Sequence, residues 1–154
     1  MAGIDVKITE NHVQEALDQI NRNIEAALEA VGIFAEGRAM DIIDAGIPRH
    51  ADSWYTSKGG AGLRGSITHL VDMSQKAVHV GTNNEHAIYN ELGTGIYLEA
   101  EDGRKGRQSP WSYQDEDGNW HRTRGITPLH FLKKSFTENE AEIREILGEY
   151  LGRE

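Results

Sequence analysis

The chain has 154 residues, with 25 acidic against 16 basic side chains, a formal net charge of -9 and no cysteine. That length suits one domain with a single core; the acidic balance argues against a broad phosphate-binding surface, and the lack of cysteine excludes disulfides, thiolate nucleophiles and cysteine-ligated zinc or iron–sulfur clusters, in keeping with a reducing compartment. No apolar run reaches the roughly eighteen residues of a membrane span, and the opening M-A-G-I-D-V-K lacks the features of a secretory signal, so the expectation is a protein made and kept in a cytoplasm.

Ile4, Val6 and Ile8 alternate loosely, which suits a short edge strand or an arm. From Thr9 the apolar positions Val13, Leu17, Ile20, Ile24, Ala27, Val31 and Phe34 recur in a four-three rhythm, widened by Leu28, Ala35 and Ile42. This spacing predicts a helix over 9–45, with Thr9 as N-cap, Ile8 and Val13 closing a hydrophobic staple, and Gly46-Ile47-Pro48 as the stop. Gly32 and Gly37 each cost about 1 kcal/mol against alanine inside a helix, so a bend or break is expected between them. The stripe reads as a surface laid on the protein's own sheet. The same rhythm would also serve a seam between subunits, but a widened stripe describes an ordinary core-facing helix equally well.

Residues 49–65 collect Gly59, Gly60, Gly62 and Gly65 among polar neighbours and read as a flexible loop. Within it Trp54 and Tyr55 form an aromatic pair that is either tucked against the domain or waiting for a partner. Residues 66–98 hold the sheet and a short helix. Strands at 66–71 and 76–80 form a hairpin around Asp72-Met73-Ser74-Gln75, which feeds into V-H-V-G-T-N-N-E-H-A-I-Y-N-E-L-G-T-G over 78–95. There Gly81 ends the strand, and Thr82, Asn83 and Asn84 offer acceptors to the free N–H groups of a starting helix. Ala87, Ile88 and Leu92 follow at helical spacing, and Gly93 and Gly95 make the exit. Glu91 is expected to be structural, accepting hydrogen bonds from the Gly93-Thr94-Gly95 backbone.

Residues 99–125 are a polar insertion. A two-residue turn at Asp117-Gly118 would make a hairpin with Tyr113 opposite Arg122 and Trp111 opposite Arg124, each aromatic–arginine pair contributing about 0.5–1 kcal/mol. Trp111, Tyr113 and Trp120 join Trp54 and Tyr55 as candidate interface residues. Thr127 and Pro128 open a last helix, 127–151, with Leu129, Leu132, Phe136, Ile143, Ile146 and Tyr150 on one face and a series of glutamates covering the others.

None of the seven histidines stands at metal-ligand spacing. His86 and Asn90 share a helix face beside Glu85 and Glu91, but there is no H-E-x-x-H, and His79 lies on the strand face opposite Val78 and Val80. A G-x-S-x-G elbow is absent, and Gly93-x-Gly95 is too short for a dinucleotide fingerprint. The one compact basic cluster, Gly103-Arg104-Lys105-Gly106-Arg107, sits beside Glu99, Glu101 and Asp102 and reads as a solvated loop. No catalytic residue, metal or cofactor is expected.

V-G-T-N, with Gly81 and Thr82, followed by Tyr89, Glu91 and Gly93-Thr94-Gly95, resembles the signature of the tailed-bacteriophage head–tail joining or tail-completion family, small neck proteins also labelled minor tail components. Leu63, Arg64 and Ser66 look like that family's G-x-L-R-x-S-I segment, and Pro110-Trp111-Ser112-Tyr113, Gly118-Asn119-Trp120 and Phe131-Leu132 fall in its order. The likeness runs from about Leu63 to Phe136. It departs at His130, where those proteins often carry proline, and at Ser135, where alanine is usual.

The resemblance implies a virion structural protein of a tailed phage or prophage. Its subunits, free at first, would assemble into a homo-oligomeric ring at the head–tail junction or proximal tail end, between connector or adaptor and tail-tube proteins. DNA would pass through without sequence-specific binding, helped by an acidic wall that repels the duplex; no membrane is implied. The rival readings are another minor capsid or tail-terminator protein, a metal-dependent hydrolase, and a small cytoplasmic binding module. The expected fold, over one domain at 1–154, is α+β: an antiparallel sheet packed by a long N-terminal helix and a C-terminal helix, with a short helix after the central hairpin.

Overall fold

The computed structural model describes residues 10–46, 62–114 and 118–152. Thr9, Trp54 and Tyr55 lie outside them. The N-terminal rhythm forms one unbroken helix, α1 (Val13–Gly46), of 34 residues, about 51 Å long at 1.5 Å per residue. Residues 10–12 are not helical, so the helix starts later than the Thr9 cap would have it. Asn11 supplies the capping acceptor instead, its Oδ1 taking the Val13 N–H at 3.1 Å.

The expected break between Gly32 and Gly37 does not occur. Gly32 is the place where a β-hairpin rests on the helix: a Cβ there would overlap the ring of His69, 2.8 Å from its Cγ, and lie 3.0 Å from Val78 Cγ2. Gly37 has open space around it. Close approach, not bending, explains the first of these glycines.

That hairpin pairs β1 (Ile67–Asp72) with β2 (Ala77–Thr82), Ile67 opposite Thr82 and Asp72 opposite Ala77. Gly81 lies within the ladder, opposite Thr68, so the strand does not end there but runs on to Thr82. At the turn Asp72 Oδ1 accepts the N–H groups of Ser74 and Gln75. Ile67 is buried against the helix, whereas Leu70, on the other face, is exposed.

The predicted loop 49–65 ends in ordered structure. Leu63 is fully buried ahead of a 3₁₀ turn at Arg64–Ser66, and it joins Ala39, Ile43, Ile67, Ala87 and Phe131 in the core. The buried line of α1 is Ala27, Val31, Ala35, Ala39 and Ile43, four-residue steps whose small alanines let neighbouring elements approach. From Ala27 onward the helix therefore packs on the protein's own elements. Its first turns do not: Val13, Leu17 and Ile20 are 63%, 49% and 52% exposed.

After β2 come α2 (Ala87–Leu92) and a second sheet of β3 (Trp111–Gln114) and β4 (Trp120–Thr123). Among the described residues the α+β fold thus holds two separate two-stranded antiparallel sheets. The second hairpin's register differs by one residue from the expected one. Tyr113 stands opposite His121 and Trp111 opposite Thr123, because the connection spans 115–119 and not the two residues of a tight turn. One residue of slip exchanges the faces of a strand. Tyr113 therefore stacks on His121 at 5.3 Å, and the cation over Trp111 is Arg107, at 5.5 Å.

The single C-terminal helix expected over 127–151 is two helices, α3 (Phe131–Thr137) and α4 (Glu140–Leu151). Buried Asn139 separates them. Its Nδ2 donates to the carbonyls of Lys134 and Ser135, both at 3.2 Å, and its Oδ1 accepts from Arg38 Nε at 2.9 Å. A short amide competing for the backbone acceptors ends the first helix and ties the break to α1. No helix among the described residues is long and apolar enough to cross a membrane.

Candidate functional site

The residues of the central stretch converge on one joint. Thr82 Oγ1 accepts the Asn84 N–H at 3.0 Å, and Asn84 Oδ1 accepts the His86 N–H at 2.9 Å. These side-chain turns deliver the chain into α2 one step before the helix, whose own N-terminus has no side-chain cap. Gly93 and Gly95 then leave it with φ of +74° and +62°.

Thr94 N–H donates to Ile126 O at 2.9 Å, Thr94 Oγ1 accepts from Ile126 N–H at 2.9 Å, and Ile96 N–H donates to Arg124 O at 3.0 Å. A Cβ on Gly95 would overlap the Arg124 carbonyl, one on Gly125 the Thr94 carbonyl, and one on Gly106 the Gly95 carbonyl. Three segments of backbone cross where only glycine leaves room. The sequence pattern pointed to Gly95, while its partners Gly106 and Gly125 carry no local signal.

Glu91 is structural, but not through the backbone it was expected to bind. Its two oxygens accept the N–H groups of Leu132, at 2.9 Å, and Lys133, at 3.1 Å. A carboxylate thus satisfies free donors in the first turn of α3 and complements the helix dipole. Backbone bonds reinforce the link, Leu129 N–H to Asn90 O at 2.7 Å and His130 N–H to Glu91 O at 3.2 Å. The expected Thr127 cap is displaced, since α3 begins only at Phe131.

His130 precedes that helix with φ +54° and ψ 39°, a conformation closed to proline, whose ring fixes φ near −65°. His130 Nε2 lies 2.9 Å from Glu99 Oε2.

The remaining family-like residues surround this joint. Ser66 Oγ donates to Leu63 O at 2.8 Å and meets Thr82 Oγ1 at 2.5 Å, while Arg64 Nε reaches Asp44 Oδ2 on α1 at 2.8 Å. Phe131 is fully buried and Leu132 packs against the core, whereas Tyr89 is half-exposed. Of the candidate interface residues, Trp111 is half-buried, Tyr113 is exposed, and Trp120 is 72% exposed.

Asn90, paired with His86 in the sequence, is buried and donates its Nδ2 to the His86 carbonyl at 3.1 Å. Among the described residues no three acidic or histidine side chains group to hold a metal. In the basic loop the Arg104 backbone N–H donates to Asp102 Oδ1 at 3.0 Å and Arg104 Nε lies 2.6 Å from Asp102 Oδ2; the first of these bonds, then the second, holds the aspartate below its usual pKa.

Sequence reasoning missed His69. Its Nδ1 is 2.6 Å from Glu36 Oε2 and its Nε2 is 3.1 Å from Glu29 Oε1. The side chain is 14% exposed. Two ring nitrogens donating to two carboxylates require the imidazolium form, because neutral imidazole carries one N–H. The Glu36 hydrogen bond accordingly raises the pKa above 6.5, against the opposing effect of burial and with help from Glu29. Glu29, Gly32 and Glu36 share one helix face, so two acids flanking a mid-helix glycine were the available signal.

Compared with protein-family models, curated proteins and solved structures, the chain finds no match.

Proposed function

We infer that this chain is a structural subunit of a tailed phage or prophage particle, forming a ring at the head–tail junction or proximal tail end. The observation that carries the reading is the pairing of a locked joint with uncovered apolar surface. Residues resembling the neck-protein signature lock β2, α2 and α3 together, while large apolar side chains stand exposed on α1 (Val13, Leu17, Ile20), on the second hairpin (Tyr113, Trp120) and around the joint itself (Ile88, Tyr89, Tyr97). A subunit with a buried core and uncovered apolar side chains buries more surface on assembly. Closed rings use such surfaces head to tail. The net charge of -9 suits a wall along which DNA slides without sticking.

The test is the copy number of this chain in purified tailed particles, by quantitative mass spectrometry against the major capsid protein. A small ring-like number, on the order of 6 to 12 copies as suits a closed cyclic ring, supports the neck role. Hundreds of copies would make it a capsid or tube component, and none at all would reject a virion role.

A further inference from the structure

The apolar stripe of α1 changes its period at Ala27. From there the buried line Ala27, Val31, Ala35, Ala39 and Ile43 runs in steps of four, the pattern of elements that cross a helix at an angle. Before it, Val13, Leu17, Ile20 and Ile24 alternate steps of four and three, the 3.5-residue period of a helix that runs alongside another helix. The first three of these are exposed and Ile24 is half-buried. Among the described residues Glu29 is the first of α1 to bond another element, at His69. Residues 47–61 cannot cover the earlier turns. They leave α1 at Gly46 and rejoin the fold next to Arg64, which bonds Asp44, so their out-and-back reach is about 25 Å, whereas Ile20 lies about 39 Å along the axis from Gly46.

We propose that these uncovered turns of α1 pack on the same turns of a second copy of this chain, antiparallel about a two-fold axis, with Leu17 against Ile20 and Val13 against Ile24 of the other copy. The contact does not rest on the ring reading, since an isologous pair needs no closed ring, and it leaves the apolar surfaces of the second hairpin and the joint free. The period specifies a helix as the occupant, and the borders of the stripe select this one. Gln14, Ala16, Asn21 and Asn23 flank it without charge, while Glu15, Asp18 and Arg22 fall on the far side. Flanking charges favour an unlike partner and repel a like one. With a neutral border, two copies of a chain of net charge -9 meet there without repulsion, and an oppositely charged partner gains nothing. Orientation follows from placement. The other elements join α1 beyond the C-terminal end of the stripe, so parallel helices would crowd two bodies side by side, whereas antiparallel helices set them at opposite ends. Parallel pairing would also bring Glu10, one step before Val13 on the same stripe, against its own copy. So short a stripe falls below a standard interface of about 800 Å² per partner, and the pair should dissociate on dilution.

The absence of cysteine makes the test direct. A Val13→Cys, Ile24→Cys double variant, oxidised in concentrated solution, should give a covalent dimer in high yield, and neither single variant should. On one helix the two positions are about 16 Å apart, too far for a disulfide within the chain. High-yield dimers from the single variants would mean parallel pairing, and no dimer from the double variant would mean that the stripes do not meet; either result overturns the proposal.

As a second measurement, sedimentation velocity of the unmodified chain from roughly 1 µM to 1 mM should show a reversible monomer–dimer equilibrium. Leu17→Glu should weaken it at least about tenfold with circular dichroism unchanged, while Ile33→Glu, at an exposed position of α1 off the stripe, should leave it intact. Equal loss in both variants would mean association without a defined seam and would overturn the assignment. So would a monomer at every concentration, whether thiol labelling of Val13→Cys then finds the stripe open or finds it covered from within the chain.

Discussion

Gly32 and Gly37 occupy the same long helix, yet alanine at the two positions should act in opposite directions. Each substitution gains about 1 kcal/mol of helix propensity. At Gly37 nothing lies within 4 Å of the added carbon, so the gain should appear whole and raise Tm by about 2–4 °C. At Gly32 the carbon meets the His69 ring, which retreats only by releasing Glu36 and Glu29. Hydrogen bonds to charged groups contribute about 1.5–3 kcal/mol each. The Glu36 side chain is 25% exposed and carries most of that, while Glu29, at 56%, is largely screened. Subtracting the propensity gain leaves Gly32→Ala destabilising by about 0.5–2 kcal/mol, or roughly 1–8 °C in Tm. Thermal unfolding by circular dichroism at pH 6 reads both variants. A double-mutant cycle sharpens the result: in a His69→Ala background, where the obstructing ring is gone and only Val78 Cγ2, at 3.0 Å, still presses on the added carbon, Gly32→Ala should lose most of its cost. If Gly32→Ala proves as stable as Gly37→Ala in the native background, the hairpin does not rest on the helix as described.

The same clamp should make stability depend on pH. The folded pKa of His69 is raised above 6.5, so its contribution is complete below pH 6.5 and is lost as pH rises through the folded value. Glu29 and Glu36 on α1 are the charged groups bonded to the ring, and uncharged Val80 stands opposite on β2. Exposed His12, raised chiefly by Glu15, shifts in the same sense, so the measurement is the difference between wild type and His69→Gln in denaturant midpoints from pH 5.5 to 8.5; parallel curves would refute the clamp. Glu91→Ala should destabilise by about 1–3 kcal/mol and speed amide exchange at Leu132 and Lys133 selectively, and exchange unchanged at those two amides would contradict the capping geometry. Phe131→Ala, in the fully buried centre of the core, should cost about 3–5 kcal/mol in urea unfolding; a cost under about 1 kcal/mol would mean that the α3 docking is wrong.

Local chemistry determined much of this molecule by sequence alone. The four-three rhythm of α1, the alternation in β1 and β2 and the Gly93 exit are short-range patterns, and each produced the expected kind of element, whereas Thr82 and Asn84 bond N–H groups ahead of α2 and not those of the helix they were expected to cap. What the patterns could not specify was which partner each residue would find, since that depends on segments far apart in the chain. Glu91 was legible as a structural acceptor, but its donors lie about forty residues away on α3. Gly32 reads as a helix breaker until a hairpin that begins at Ile67 is laid across it. The one-residue slip of the β3–β4 register followed from a connection length that the Asp-Gly pair does not dictate. The apolar stripe of α1 is continuous in sequence, yet only its portion from Ala27 is covered, because covering depends on where the other elements end and not on the helix itself. Sequence periodicity chose the faces; tertiary packing decided which were covered within the chain and which were left exposed.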